Sequence, residues 1–297
     1  MVENPPLAIL QKKRAESSLF PLIEPHLFSQ VVNKMRLFFL QKGYLEVHTQ
    51  NRLSIMAACE DPKTIASYNY HGQVWPLPQT GQMWLEFELL NNPNAPGFFC
   101  LSNSYRNEPN PVEGRHCLSF PMFEFELPGG IDELINVEAE LLEHLGFGAK
   151  DSFPQGDYED VAIEYGVKEL EMEQEIQIGK DYGPIFFLNH FPEYTSPFWN
   201  MKRNEKDPYI SEKVDVLMHG METIGSAERS CNVKEMEDTF YSIEDGKYAQ
   251  KLFDMFGKDR VVGELNEFLS HDFFPRSGGG IGVTRMIRAM QLSNLIE

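Results

Sequence analysis

Two runs with strand character, over 98–106 and 116–126, follow one another with only a short polar loop between them. No stretch of helical length separates them. Parallel neighbours need a crossover of a dozen or more residues, so these two runs read as an antiparallel hairpin. That adjacency argues against a doubly wound sheet, and the remaining pattern agrees. Val31, Val32, Met35, Phe38 and Phe39 recur at helical spacing and predict a helix over 27–42, stopped by Gly43. A short strand follows over 44–49. The pattern breaks over 51–78, with turn signals at Glu60-Asp61-Pro62 and His71-Gly72. Further helices are predicted over 80–90, 131–145, 247–255 and 265–270, and strands over 186–191 and 214–224. The stretch 151–180 is acidic and mixed, and a glycine run leads into a final helix. Strands with helices between them, and no βαβ rhythm, predict an α+β fold. No linker composition divides the chain, so residues 1–27 read as an arm and 28–297 as one domain.

Charge narrows the function. The 297 residues carry 26 Lys and Arg against 45 Asp and Glu, a formal charge of −19. A chain that grips nucleic acid over a wide surface carries the opposite sign, so such a role needs a local basic patch. The same balance disfavours anionic membranes. The apolar run Pro184–Leu188 is too short to cross a bilayer. Cys59, Cys100, Cys117 and Cys231 stand far apart with no CxxC pair, which points to neither a zinc site nor a redox motif. This spacing suits a reduced compartment, and the first residues lack an apolar core of signal-peptide length. The expected location is the cytoplasm.

Four segments carry candidate chemistry. In Ser104–His116, Arg106 and Arg115 stand at the two ends of the polar loop. Two guanidinium forks so placed can clamp a polyphosphate, although pattern alone favours a hairpin with surface arginines. Alternation in the return strand puts His116, Leu118, Phe120, Met122 and Glu124 on one face, where a phenylalanine can stack a base and a carboxylate can hold an ammonium. In Val214–Ile224, His219-Gly220 reads as a two-residue turn that sets Leu217 opposite Glu222 with Asp215 diagonally across. Such a pair can share a hard divalent cation, or be solvated strand carboxylates. In Arg276–Ile287 the glycines permit close approach of the backbone, or form a plain turn. Arg285 falls in the first turn of the helix that follows, where the dipole disfavours a cation unless an anion is present. In Thr80–Glu86, helical spacing puts Gln82 and Glu86 on one face, able to read a small polar ligand or simply to start a helix.

In this order, the four segments resemble the catalytic core of class II aminoacyl-tRNA synthetases, in the subclass handling aspartate, asparagine and lysine, from about residue 28 to 292. Arg106-Asn107-Glu108, Arg115-His116 and Phe120 resemble the family's second motif, and Gly280–Arg285 its third. The resemblance implies a mostly antiparallel sheet flanked by helices, with ATP and Mg2+ as cofactors. It implies that Arg106 holds the α-phosphate and the reacting carboxylate. Arg115 and Arg285 would hold the γ-phosphate, Phe120 would stack on adenine, and Glu108 would contact its amino group. Asp215 and Glu222 would bind magnesium. Gln82 and Glu124 would hold the amino group of the amino acid, with Glu86 on the same wall, and Arg229 would read the side chain.

Thr80–Glu86 is closer to asparaginyl than to aspartyl enzymes, which place a lysine where Leu85 stands. Gln50 replaces the proline that closes the family's first motif, a dimer element, and Thr284 replaces an acid beside Arg285. The expectation is a core without an anticodon-binding module ahead of it. Among free-standing cores the chain is most similar to the archaeal asparagine synthetases related to asparaginyl-tRNA synthetase. That resemblance implies an AMP-forming ligase that activates aspartate (or asparagine) and transfers it to ammonia, working as a homodimer without tRNA or membrane. A protein or metabolite acceptor, a non-catalytic amino-acid-binding paralogue and charging of tRNA with a separate partner chain are the alternatives.

Overall fold

The computed structural model describes residues 22–50, 52–56, 60–111, 117–195 and 198–297. Its frame is an eight-stranded sheet. In chain order the strands are β1 (Leu45–Glu46), β4 (Phe98–Tyr105), β5 (Ser119–Pro128), β6 (Gln155–Asp157), β7 (Ile185–Pro192), β8 (Ile210–Met218), β9 (Glu222–Arg229) and β10 (Arg276–Gly282). Their spatial order is β1-β4-β5-β10-β9-β8-β7-β6. Only the two edge pairings, β1 with β4 and β6 with β7, are parallel. The predicted α+β class and mostly antiparallel sheet are therefore found. A separate ribbon, β2 (Ser67–Tyr70) with β3 (Gln73–Pro76), turns at His71-Gly72, the turn signal read from the sequence, although the two strands themselves were not foreseen in that broken stretch.

One face of the sheet is apolar. Phe99, Phe123, Phe125, Val214, Val216, Ile224 and Ile281 pack there beneath three helices. These are α1 (Pro25–Gln41), α3 (Ile131–Leu145) and α9 (Val283–Leu292). All five apolar residues predicted for the first helix are buried. It begins two residues earlier than expected, because Glu24 caps it by accepting from the Leu27 N–H at 2.7 Å and Pro25 suits the first helical position. Most of the expected arm, residues 1–21, lies outside the described residues. The Ile131–Leu145 helix runs as predicted and ends at Gly146, which adopts φ 101°.

The other face is lined by small and polar residues. Alternation brings Met122, Glu124 and Glu126 of β5 beside Gly282, Gly280 and Gly278 of β10, and Gly225 and Ala227 of β9 lie on the far side of the latter two. This face is covered by α2 (Gln82–Asn91) and by a second apolar cluster built from α6 (Val233–Ser242), α7 (Lys247–Phe256) and α8 (Lys258–Leu269). The sequence missed α6 and saw only the end of α8. The stretch 151–180 holds β6, α4 (Tyr158–Glu164) and α5 (Met172–Asp181), which flank the β7 edge. Two other boundaries differ: the strand expected over 44–49 pairs only at Leu45–Glu46, and the return strand starts at Ser119.

Candidate active site

A cavity of ≈ 310 Å³ opens on the glycine-lined face. Arg106, Glu108, Phe120, Asp215, Glu222 and Arg285 all line it. Six of the residues singled out from the sequence thus converge from β4, β5, β8, β9 and α9. Arg115 lies outside the described residues. Lys213, Thr284 and Arg288 line the same cavity. Four cations face three carboxylates here, so a chain of charge −19 carries a locally basic hollow.

Each wall follows from local structure. Arg106 sits just past the end of β4, its main-chain N–H bonded to Leu118 O at 2.9 Å, and its guanidinium lies 5.9 Å from the Phe120 ring centroid. His219 and Gly220 both take positive φ, 50° and 71°, and Met218 N–H closes the hairpin on Met221 O at 2.8 Å. That is the primed turn expected from the sequence. Leu217 pairs with Glu222, Asp215 with Gly225, and the register shifts between them. Glu222 and Asp215 consequently face one hollow. Arg285, in the first turn of α9, donates to Glu222 O at 2.6 Å and lies 3.8 Å from its carboxylate. Arg288 reaches back to the Met218 and His219 carbonyls at 3.5 Å.

Asp215 is buried, and its Oδ1 has no hydrogen-bond partner among the described residues. Burial pushes its carboxyl up; Lys213, whose Nζ lies 2.7 Å from Oδ2, opposes the shift, and Glu222 adds to it. A partnerless carboxylate oxygen beside a second acid fits a hard divalent cation, most of whose coordination would come from phosphate and water.

Gln82, Glu86, Glu124 and Arg229 do not line the cavity. They form a buried polar layer beside it. Arg229 donates to both oxygens of Glu126, at 3.2 and 3.1 Å, and to Gln82 Oε1 at 2.5 Å. Glu86 accepts from Arg276 at 2.8 Å and from Asn200 at 2.8 Å. Glu86 therefore anchors this layer and does not face a ligand. The guanidinium of Arg229 is wholly buried against Glu126 and Gln82, behind the cavity, and not on its wall as the resemblance implied. Burial pushes Glu126 up, and Arg229 opposes that.

Gln82 differs from its expected part. Arg229 offers only donors, so the Gln82 atom facing it is the oxygen. The amide nitrogen is left buried without a partner, close over Gly280, which floors the cavity. That N–H can only donate, so it suits an oxygen and not the ammonium implied by the resemblance. Glu124 keeps acceptors near the same spot. Its Oε2 takes Gly81 N–H at 2.6 Å and Ser102 Oγ at 2.5 Å, its Oε1 takes Thr80 Oγ1, and burial pushes its pKa up against these donors. Leu85 packs away from the site with Leu89, Phe98 and Cys100, where a lysine would be stranded in an apolar cluster.

Lys213, Arg288, Glu126 and Arg276 were missed in the sequence. Each is legible afterwards from spacing. Lys213 stands two before Asp215 and Glu126 two after Glu124, on the same strand faces. Arg276 stands two before Gly278, and Arg288 one helical turn after Arg285.

Known proteins give the family and the fold. At 25% identity the chain is similar to a lysine–tRNA ligase of Wolinella succinogenes, over 90% of this chain and 59% of the relative. At 27% it is similar to the cytoplasmic asparagine–tRNA ligase of Mus musculus, over 70% of this chain and 42% of the relative. The chain thus spans between two fifths and three fifths of the length of these relatives. Among solved structures it matches asparaginyl-tRNA synthetase from Pyrococcus horikoshii complexed with asparaginyl-adenylate, with a TM-score of 0.72 and 20% identity, covering 89% of this chain and 64% of that one. A model of the class II tRNA synthetases for D, K and N matches residues 24–297. The chain belongs to the class II tRNA synthetase family of the aspartate, lysine and asparagine group.

Proposed function

We propose that the protein forms an aminoacyl adenylate from ATP and aspartate or asparagine, and passes the acyl group to ammonia with release of AMP, giving asparagine when the β-carboxyl of aspartate is the one activated. The observation that carries the adenylation is the convergence of Arg106, Arg285, Arg288 and Lys213 with Phe120 on one cavity floored by glycine. Phe120 offers a face for adenine, and the cations meet a curled triphosphate. A carboxylate oxygen of the amino acid attacks the α-phosphorus in line. The new O–P bond forms as the bond to pyrophosphate breaks. Arg106 stabilises the crowded negative charge of that transition state. Asp215 and Glu222 would hold Mg2+, which when bound neutralises phosphate charge. Gln82 Nε2 and Glu124 Oε1 are the groups of the adjoining buried layer that come nearest Gly280 on the cavity floor, and an amino acid seated there would meet them first. Arg229 and Glu126, donor and acceptor side by side deeper in that layer, would reach its side chain only if the layer opens.

Ammonia as acceptor is supported by the acidity of the chain, which repels a polyanion. Transfer to tRNA is the second reading, favoured by relatives whose names are tRNA ligases. Amino-acid-dependent ATP–pyrophosphate exchange across the twenty amino acids tests the first step. Exchange with none of them sinks the adenylation. Ammonium and tRNA, offered separately, then decide the acceptor. Self-association is part of the same reading, supported by exposed Leu37, Leu40 and Leu45 beside the open sheet edge.

A further inference from the structure

We propose that Lys213 is a resident counter-ion of the cation site, competing with a divalent metal for Asp215, so that metal and nucleotide bind cooperatively. The inference rests on reading Asp215 and Glu222 as the cation-holding acids. Among the described residues no group of three or more His, Cys, Asp or Glu converges, so those two acids work with little support from other ligands.

Three observations place the lysine. Lys213 and Asp215 share a strand face, opposite Ala227 and Gly225, whose small size leaves room for both. The Lys213 ammonium lies 2.7 Å from Asp215 Oδ2 and 3.7 Å from the Phe191 ring centroid. An ammonium over an aromatic face and against a carboxylate is held in a defined place. Both residues also line the nucleotide cavity. Lys213 thus sits where it neutralises Asp215 before any ligand arrives.

The consequence follows from charge. A divalent cation that takes Asp215 Oδ2 must displace an ammonium already bonded there. With the cavity empty, the displaced ammonium stays beside the incoming metal in a cavity it already shares with Arg285 and Arg288, and the metal binds weakly. With ATP present, phosphate oxygens accept both the metal and the ammonium. Each ligand then favours the other by the same factor, as linkage requires.

The test measures Mn2+ affinity of the nucleotide-free protein by the EPR signal of the free ion, in the natural sequence, Lys213→Met, Lys213→Arg and Asp215→Asn. Asp215→Asn should lose the site. Lys213→Met should bind Mn2+ about tenfold more tightly, and Lys213→Arg should stay close to the natural protein. Equilibrium dialysis of ATP with and without Mn2+ should show less enhancement by Mn2+ in Lys213→Met. Circular dichroism checks that each variant is folded; if Lys213→Met is not, Lys213→Gln takes its place. Unchanged Mn2+ affinity on removing the lysine overturns the counter-ion role while leaving the acid pair as a metal site. Mn2+ binding that ignores Asp215, or no binding with or without ATP, overturns the acid pair and the inference together.

Discussion

At the scale of single residues, charge and clearance decide. Arg106 stands past the end of its strand and belongs to none of the apolar clusters, so Arg106→Ala should keep the fold. It should lower pyrophosphate exchange by about 10²–10³-fold, the loss expected for one transition-state donor. Near-normal exchange with unchanged circular dichroism refutes the assigned role. Gly278 makes the opposite case. A Cβ there would overlap the Glu126 carboxylate and the Phe125 carbonyl, and the backbone cannot retreat inside the sheet. Gly278→Ala should destabilise by roughly 1–3 kcal/mol, read from urea midpoints. Gly263, in α8, has nothing within reach of a Cβ. Gly263→Ala should stabilise by roughly 0.5–1 kcal/mol, because alanine loses less chain entropy in a helix. Equal midpoints for the two variants would contradict the claim that close approach, not composition, selects glycine in β10.

Elements were legible where their side chains kept a period. Val137, Leu141, Leu142 and Leu145 give α3 a buried stripe, and its limits were read to the residue. By contrast, β10 was unreadable as a strand. Its glycines carry no alternation, and it exists because β5 and β9 pair with it on either side. Likewise α6 buries only Met236 and Phe240, too thin a stripe to register. The site followed the same division. Asp215 and Glu222 could be placed from a turn signal, whereas the ties between Arg229, Glu126 and Gln82 depend on elements distant in sequence.

One feature of α3 was also hidden. Glu138 faces the apolar side of the sheet, where burial pushes it up to about 8, with nearby Ser226 opposing and Asp215 adding. An acid that titrates near 4.5 unfolded and near 8 folded takes up a proton on folding between those values. Its contribution is complete below pH 4.5 and declines as pH rises toward 8, by about 1.4 kcal/mol per pH unit. Glu138→Gln should remove that slope. The gap between the urea midpoints of variant and natural protein should widen in favour of the variant from pH 5 to pH 8. His190 is raised to about 9 by Glu212 and Asp157, so its stabilising charge is also lost as pH climbs through that value. It is common to both proteins and cancels in the comparison. A constant gap would mean that Glu138 is ionised in the folded chain.

For the whole molecule, the open question is what covers the β1 edge. The sheet ends there with two paired residues, β4 on one side and, among the described residues, no strand on the other. Helix α1 lies alongside, tied by Arg36 to Glu46 at 2.9 Å. Leu37, Leu40 and Leu45 are each about half exposed on these same two elements. An open strand edge beside exposed leucines is a surface that isolated chains normally blunt with charge or a bulge. A second copy meeting this edge would cover it by symmetry, with the same residues on both sides. Gln50 follows a few residues on, so the contact would form without the proline that closes the family's first motif. Sedimentation at micromolar concentration should therefore give a dimer. Leu40→Lys with Leu45→Lys should yield a monomer, because each charge would be repeated across the two-fold and lose its water. Both substituted positions are exposed in the single chain, so the monomer's thermal midpoint should move little from that of the diluted natural protein. A natural chain that sediments as a monomer, or a double variant that stays dimeric, places self-association elsewhere or nowhere.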